Sequence, residues 1–239
     1  MRPEEETMTV QAHSHTRVNT GVLAAAEKRA LIWMAQRLPR WVNSDHLTLL
    51  ALASMAGAGA AFWASRYWLP ALGLVVVALA INWFGDSLDG TVARVRKHER
   101  PRYGFYVDHV LDVTGFSLLA GGMSMSGFIT PVVGLTLLAA YLLVSAEVFL
   151  ATAVNGQFHM SFLRVGPTEL RIILAIGTLL LFSMPTVSPF GFGPFLLFDV
   201  GGAVAVIGLT VALITSTVRT TVALYQAEPL PRASERRAA

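Results

Sequence analysis

The sequence predicts an all-α integral membrane protein, with six transmembrane helices preceded by an N-terminal interfacial amphipathic helix. Of its 239 residues, 54% are hydrophobic and only 14% are charged, a composition typical of membrane proteins rather than of soluble domains. The apolar residues form six runs of about 20, the length at which a helix crosses a hydrocarbon core of ~30 Å. The sequence contains no cysteine, which excludes disulfides, thiolate metal sites and a cysteine nucleophile.

The elements follow one another within a single predicted membrane domain, residues 21–226. Residues 1–20 and 227–239 are polar and are predicted to be disordered tails. Between Val22 and Pro39, apolar residues recur at helical spacing among basic ones, which favours a helix lying on the membrane surface. A plain juxtamembrane segment would give the same pattern. The predicted spans are 47–65, 69–88, 104–127, 131–154, 168–186 and 197–224.

The basic residues predict the orientation of these spans. All Lys and Arg residues except Arg66 fall in the N-terminal region, in 94–102, in 164–171 or from Arg219 onward. Because cytoplasmic loops carry the excess of Lys and Arg, both termini are expected in the cytoplasm. In a bacterium the membrane would be the cytoplasmic one.

Four aspartates interrupt the apolar pattern at the second and third spans. Asp86 and Asp89 are three residues apart and share one helix face, and Asp108 and Asp112 are four apart and share another. A short basic loop joins the two spans as an antiparallel hairpin, which brings the pairs together. Since intramembrane carboxylates are costly, they need compensation. Two divalent ions, Mg²⁺ or Mn²⁺, would balance four carboxylates with hard-oxygen coordination.

Small residues and one arginine accompany the aspartates. Gly90, Ala93 and Gly104 leave room for a ligand to approach the backbone, and Arg94 offers a permanently charged fork suited to phosphate. Paired divalent ions are used in enzymes for phosphoryl displacement. The residues therefore predict a two-metal site at the cytoplasmic boundary of the membrane, acting on a phosphorylated substrate.

The same residues resemble the signature of the CDP-alcohol phosphotransferase family, D-x-x-D-G-x-x-A-R followed by G-x-x-x-D-x-x-x-D. The spacer between Arg94 and Gly104, residues 95–103, is one residue longer than the spacer expected for the family. A second departure is the segment 44–48, Ser-Asp-His-Leu-Thr, where many members have P-N-x-L-T. Every fixed position of the signature is present: Asp86, Asp89, Gly90, Ala93, Arg94, Gly104, Asp108 and Asp112.

The resemblance implies a reaction and roles for these residues. Family members transfer a substituted phosphate from a CDP-linked donor to an alcohol and release CMP, in phospholipid biosynthesis. The resemblance makes all four aspartates metal ligands and Asp112 also the catalytic base. It assigns CDP binding to Asp89, Gly90, Ala93, Arg94 and Gly104. Expected partners are the CDP-linked lipid or CDP-alcohol donor, the alcohol acceptor and membrane lipids, but not nucleic acid; homodimers are common among similar proteins. The residues do not identify the acceptor.

Four further charged residues are candidates for contacts with the acceptor or with a phosphate. Glu147 lies inside the fourth predicted span, where it either lines an acceptor pocket or pairs with Arg171 or Arg219. Glu169 opens the fifth span, where an acid also complements the helix dipole. Arg164 and Arg171 would bind a phosphate of the substrate or anchor the span to anionic headgroups.

Two other functions also fit an Asp-rich membrane protein. A divalent-cation transporter would distribute its acids through the membrane depth, whereas these cluster at one boundary. A Mg²⁺-dependent intramembrane prenyltransferase normally needs a second Asp-rich motif, and none follows Asp112. Both remain as alternatives to the phosphotransferase.

Overall fold

The computed structural model describes residues 24–155 and 167–228. Within these ranges the chain forms seven α-helices and one short β-hairpin. Predictions for residues 1–20, for 229–239 and for Arg164 lie outside the described residues. The helices are α1 Ala24–Arg37, α2 Ser44–Ser65, α3 Ala71–Val95, α4 Pro101–Ser126, α5 Pro131–Asn155, α6 Pro167–Leu180 and α7 Leu197–Ala227. The helix α7 thus continues one residue beyond the predicted end of the membrane domain.

Four of the described helices are long and apolar enough to cross a membrane: Ser44–Ser65, Ala71–Val95, Pro131–Val154 and Leu197–Ala227. The third and fifth predicted spans do not reach that standard. The first half of α4 carries Arg102 and two aspartates. The helix α6 has 14 residues, and such a helix is only about 21 Å long at ~1.5 Å per residue. It ends at Leu180, short of the predicted residue 186, and turns follow to Ser183.

Helix α2 has two main neighbours. It lies against both α3 and α4, while α5 packs on α4 and α7 on α5; α6 and α1 both contact α3. Asn43 begins α2 as a capping box: its side chain accepts from the backbone N–H of His46, and the His46 ring accepts from the backbone N–H of Asn43. These bonds give partners to backbone N–H groups at the start of α2 that would otherwise have none within the helix.

Glycines allow α2 to approach its neighbours at backbone distance. A Cβ on Gly122 of α4 would lie 2.0 Å from the carbonyl oxygen of Gly59 on α2. A Cβ on Gly85 of α3 would lie 2.6 Å from the carbonyl oxygen of Leu47. Both crossings therefore require glycine, as close packing of membrane helices often does. Gly121, in contrast, faces open space.

The helix α1 packs against the bundle near the end of α3. Leu31 and Ala35 are buried in a small apolar cluster with Leu88 and Val92. The carboxylate of Glu27 accepts hydrogen bonds from Trp83 Nε1 at 2.8 Å and from Thr168 Oγ1 at 2.7 Å. It thus joins α1 to both α3 and α6. A helix exists where the amphipathic one was predicted; its position on a membrane surface stays a prediction.

A short hairpin connects α6 to α7. Thr186–Val187 (β1) pairs antiparallel with Phe195–Leu196 (β2), and a 3₁₀ turn, Pro189–Gly191, lies between them. The first turn of α6 lies beside Asp86 of α3. The hairpin follows the last turn of α6 and is therefore at the opposite end of that helix. Asp199 at the start of α7 binds the backbone N–H and hydroxyl of Thr130, so the loop between α4 and α5 lies at that same end.

Candidate active site

Three of the four motif aspartates, one from α3 and two from α4, converge in one cluster. One carboxylate oxygen from each of Asp86, Asp108 and Asp112 lies within 4.8 Å of the others. The two helices are joined by the short loop 96–100 and both pack against α2, so the end of one lies near the beginning of the next. The sequence predicted a hairpin of these two helices; in the structure they pack on α2 rather than on each other, and Asp86 still lies close to Asp108 and Asp112, with Asp89 outside the closest group.

Asp86 is held by a cation from α6. Arg171 donates from Nη2 to Asp86 Oδ2 at 2.6 Å and from Nε to Asn82 Oδ1 at 2.7 Å. The Asn82 amide in turn donates to the carbonyl oxygen of Ala51 on α2, at 3.0 Å. The Asp86 side chain is only 9% exposed. Its negative charge is therefore compensated by a charge-assisted hydrogen bond within a network that joins three helices.

Asp89 turns toward α2. Its Oδ2 accepts from the Thr48 hydroxyl at 2.8 Å, and its Oδ1 accepts from the backbone N–H of Gly90. The residue is 9% exposed. The same Thr48 hydroxyl lies 3.0 Å from the Ser44 carbonyl oxygen, within hydrogen-bond distance. This contact orients the Thr48 side chain along α2. Asp89 is therefore a buried carboxylate whose direction is set by a neighbouring helix.

The α4 carboxylates are more open than those of α3. Asp108 is 30% exposed at its side chain, and Asp112 is exposed. His109 lies beside Asp108: its Nδ1 is 3.9 Å from Asp108 Oδ2 and 2.7 Å from the Phe105 carbonyl oxygen, and its ring packs against Phe105 and Phe149. The site thus has a buried wall on α3 and an accessible wall on α4.

The other motif residues surround the end of α3. Arg94 is exposed, and its Nη2 donates to Thr91 Oγ1 at 3.1 Å. A Cβ on Gly90 would lie 3.3 Å from Nη1 of Arg94, so the guanidinium lies close above that glycine. Ala93 is half-buried, and a Cβ on Gly104 would meet nothing within 4 Å. The space beside Gly104 is therefore open to a ligand.

A cavity of about 930 Å³ lies between the end of α1, the α1–α2 loop and the end of α3. Its lining includes Ala93 and the basic residues Arg40, Arg96 and Arg100. Arg96 donates to the carbonyl oxygens of Leu38, Pro39, Arg40 and Val42, which holds the loop against α3. Arg100 is paired with Asp45, and this hydrogen-bonded carboxylate raises the pKa of its guanidinium. The cavity beside the motif therefore carries both signs of charge, three arginines against Asp45 and Glu99.

The candidate acceptor contacts are dispersed. Arg171 binds Asp86 and is therefore not the partner of Glu147. Glu147 Oε1 accepts from Ser216 Oγ of α7 at 2.8 Å, and its Oε2 is buried with no hydrogen-bond partner within the described ranges. Glu169 lies half-buried in the first turn of α6. Of these residues, Arg171 binds a motif aspartate directly, at Asp86 Oδ2.

Asn82 and Glu27 were not singled out from the sequence, although both organise the site. Asn82 is a buried amide one helical turn before Asp86, and a polar residue at that spacing inside an apolar run was a usable signal. Glu27 had no such signal, because its partners lie 56 and 141 residues away.

The residues present fit a divalent cation. Three carboxylates with oxygens within 4.8 Å of one another form a hard, anionic donor set, and two of the three residues are partly buried. Oxygen ligands of this kind suit Mg²⁺ or Mn²⁺. Arg171 offsets a single one of these charges, so the cluster stays anionic.

The architecture matches a known membrane enzyme. The structure is similar to the crystal structure of phosphatidylinositol phosphate synthase from Mycobacterium tuberculosis with CDP-DAG bound, with a TM-score of 0.60. The match covers 80% of this chain and 94% of the other, at 16% sequence identity. No protein-family model and no curated protein matches the sequence. The synthase is a CDP-alcohol phosphotransferase; this chain thus has the fold of a member of that family, and resembles the family in both its aspartate motif and its architecture.

Proposed function

We propose that this protein is a membrane-integrated CDP-alcohol phosphotransferase of phospholipid biosynthesis. It transfers a substituted phosphate from a CDP-linked donor to an alcohol and releases CMP. One observation carries the proposal: Asp86, Asp108 and Asp112, which match the signature by position, also converge within 4.8 Å. The fold shared with a synthase that binds CDP-DAG supports the same conclusion.

The membrane arrangement belongs to the proposal. Four helices are long and apolar enough to cross a membrane. In the proposed arrangement α4 and α6 are the two further spans of a six-span bundle. The distribution of Lys and Arg favours cytoplasmic termini and a site that opens to the cytoplasm. The polar CDP group would then enter from water, while lipid chains remain in the bilayer.

Asp86, Asp89, Asp108 and Asp112 would hold two divalent ions, Mg²⁺ or Mn²⁺. When bound, such ions supply charge stabilisation for phosphoryl transfer and clamp the attacking and leaving oxygens. The protein contributes the orientation of the ligands. Arg171 and Asn82 fix Asp86, and Thr48 fixes Asp89. Because such supporting contacts orient the ligands, they belong to the machinery of the site.

Asp112 would accept the proton of the acceptor hydroxyl at a carboxylate oxygen. It lies one turn beyond Asp108 along α4 and is exposed toward the open side of the cluster. Both properties suit a base, which needs access to its substrate and a position beside the reacting centre. The exposed wall on α4 is therefore where the acceptor is expected.

The donor would lie along the end of α3. Gly90, Ala93 and Gly104 would leave space for CDP, and Arg94 would pair with a phosphate oxygen. Arg171, already at Asp86, would offset phosphate charge from the other side. Arg164, Glu169 and Glu147 remain candidates for contacts with the acceptor or its phosphate, and a homodimer is the expected assembly.

The test is CMP release by purified protein in lipid vesicles with Mg²⁺ or Mn²⁺. One arm supplies CDP-diacylglycerol with a panel of soluble alcohols, including glycerol phosphate, inositol phosphate and serine. The other supplies CDP-choline with diacylglycerol. We expect that a single combination of donor and acceptor, in one of the two arms, releases CMP. Absence of CMP from all of them would overturn the proposal.

Variants and a transport assay separate the alternatives. Asp112→Asn is expected to abolish turnover and retain metal-dependent CDP binding. Asp199→Asn, an acid at the far end of the bundle, is the matched control and should remain active. Ion flux into vesicles that is lost in Asp86→Asn, without CMP release, would favour a transporter. Pyrophosphate release from a prenyl diphosphate would favour a prenyltransferase.

A further inference from the structure

The hairpin between α6 and α7 presents two aromatic side chains to its surroundings. Phe190 is 99% exposed and Phe192 is 72% exposed. Together these two residues are called the aromatic tip. The tip lies at the end of the bundle opposite the aspartate cluster, because α6 begins beside Asp86 and the hairpin follows its last turn. Whatever contacts the tip is therefore remote from the proposed active site.

The hairpin itself contains no formal charge, and the first charged residue after it, Asp199, is bound to Thr130. From Ile172 to Phe198 the sequence has no Asp, Glu, Lys or Arg. Loops that extend into water normally carry charged residues, and exposed large apolar patches mark an interaction surface. The composition of this loop instead resembles that of the spans on either side.

The backbone of the hairpin is largely paired within itself. Besides the β1–β2 ladder, Gly191 N–H donates to the Ser188 carbonyl oxygen, Phe192 N–H to Pro189 and Leu197 N–H to Pro185. Non-helical backbone can approach the hydrocarbon region only when its polar groups are satisfied, because no water is available there. The bonds described above satisfy part of the hairpin's backbone in this way.

Phe190 also adopts a strained conformation. Its φ is +54°, a region that bulky side chains rarely occupy and that glycine or asparagine would adopt with less strain. Since its side chain is almost fully exposed, contacts within the described chain do not offset this strain. Backbone strain of this kind is typical of positions with a role outside the fold.

The surface next to the tip identifies the occupant as lipid. The helix α7 follows the hairpin directly and meets the criteria for a membrane span. Its exposed residues Val204, Ile207, Val211 and Ile214 repeat at helical spacing and form one apolar stripe. Ile173 and Ile176 on α6 are exposed as well. The aromatic tip therefore continues two apolar surfaces that face the bilayer.

We propose that the aromatic tip inserts into the boundary between headgroups and acyl chains, in the leaflet away from the aspartate cluster. The hairpin thereby anchors the α6–α7 connection at a fixed depth and compensates for the short length of α6. This inference does not depend on the proposed enzymatic function. It would hold equally for a transporter with the same fold.

The chain has no cysteine, so a single introduced cysteine gives a clean probe. Phe190→Cys and Phe192→Cys are labelled with an environment-sensitive fluorophore and reconstituted in phosphatidylcholine–phosphatidylglycerol vesicles. Arg66→Cys, an exposed position between α2 and α3, is the control expected in water. Folding of each variant is checked by its melting temperature and by size-exclusion chromatography.

We expect blue-shifted emission at both tip positions, with strong quenching by lipids that carry a nitroxide near the headgroup and weak quenching by aqueous iodide. Arg66→Cys should show the reverse. Iodide quenching of the tip equal to that of the control would overturn the proposal. Blue-shifted emission that lipid nitroxides do not quench, and that reverts on dilution with excess lipid, would assign the tip to a second copy and also overturn it.

Discussion

Arg171 holds Asp86 and Asn82 with a single guanidinium, through Nη2 at 2.6 Å and Nε at 2.7 Å. These two partners are one turn apart on α3, and Arg171 is 85 residues further along the chain than Asp86. The planar fork of arginine satisfies both at once, which a lysine ammonium on its flexible stem would not do as well. The contact therefore fixes α6 against α3 and orients a candidate metal ligand.

The first prediction concerns this contact. Arg171→Lys should retain an ion pair with Asp86 and lose the bond to Asn82, whereas Arg171→Gln removes the charge. We expect kcat/KM for the proposed reaction to fall by about 10–100-fold in Arg171→Gln, as for other residues that orient metal ligands. Arg171→Lys should be intermediate. Arg66→Gln, an exposed arginine at the other end of the bundle, serves as control, and equal activity in all three variants would contradict this role.

The second prediction concerns the hydroxyl that orients Asp89. Thr48→Val keeps the shape of the side chain and removes the hydrogen bond to Asp89 Oδ2. Because supporting hydrogen bonds set ligand geometry, the metal concentration for half-maximal activity should rise by about 10-fold or more. Thr48→Ser retains the hydroxyl and should behave as the wild type. A Mg²⁺ titration of CMP release measures the difference, and a valine variant with the wild-type titration would exclude this function of Thr48.

The third prediction tests Gly104 as part of the donor pocket. A Cβ at Gly104 meets no protein atom within 4 Å, and the same holds for Gly121 on the same helix. Either glycine-to-alanine change should therefore leave the fold intact or stabilise it by about 0.5–1 kcal/mol. Gly104→Ala alone should raise the KM for the CDP-linked donor, on the order of 10-fold, since overlap with a bound group costs about 1–3 kcal/mol. An unchanged KM would place the donor elsewhere.

The fourth prediction compares adjacent glycines. A Cβ on Gly122 would lie 2.0 Å from the Gly59 carbonyl oxygen, a backbone atom that cannot move without shifting α2, whereas Gly121 faces open space. Gly122→Ala should lower the free energy of unfolding by about 1–3 kcal/mol or more, the cost of overpacking. Gly121→Ala should not. Thermal unfolding in one detergent measures both, and equal melting temperatures would mean that α2 and α4 do not cross at these glycines.

The fifth prediction concerns metal itself. A ligand that binds only the folded state at 100 times its Kd stabilises that state by about 2.7 kcal/mol. Adding Mg²⁺ or Mn²⁺ to protein stripped with EDTA should therefore raise the melting temperature by several degrees. Asp108→Asn should reduce this shift, while Asp45→Asn, outside the cluster, should not. An equal shift in both variants would place the stabilising ion at another site.

The sequence predicted the helical content and the pairing of the aspartates because both depend on local periodicity. Spacings of three and four residues place Asp86 with Asp89 and Asp108 with Asp112 on common faces. A short basic loop between two apolar runs also places the end of α3 near the start of α4, although the two helices pack on α2 rather than on each other. The four most apolar predicted spans correspond to helices that can cross a membrane.

Other features depended on contacts between distant segments. The side chain of Asp89 belongs to the face that Asp86 occupies, yet it binds Thr48 of α2 rather than joining the closest group. The end of α6 at Leu180 was also missed, because Leu181, Phe182 and Met184 continue the apolar run beyond it. Hydropathy alone does not distinguish a helix from an apolar hairpin.

By itself, the sequence determined which residues are candidates for the chemistry: eight motif positions, their spacing and the helices on which they lie. Tertiary structure decided how those residues are supported. It placed Arg171 on Asp86, Thr48 on Asp89 and Glu27 between three helices. The physical reason is that helix faces follow from the 3.6-residue period, whereas the partner across an interface depends on how whole helices pack, and that is set by backbone contacts such as those at Gly59, Gly85 and Gly122.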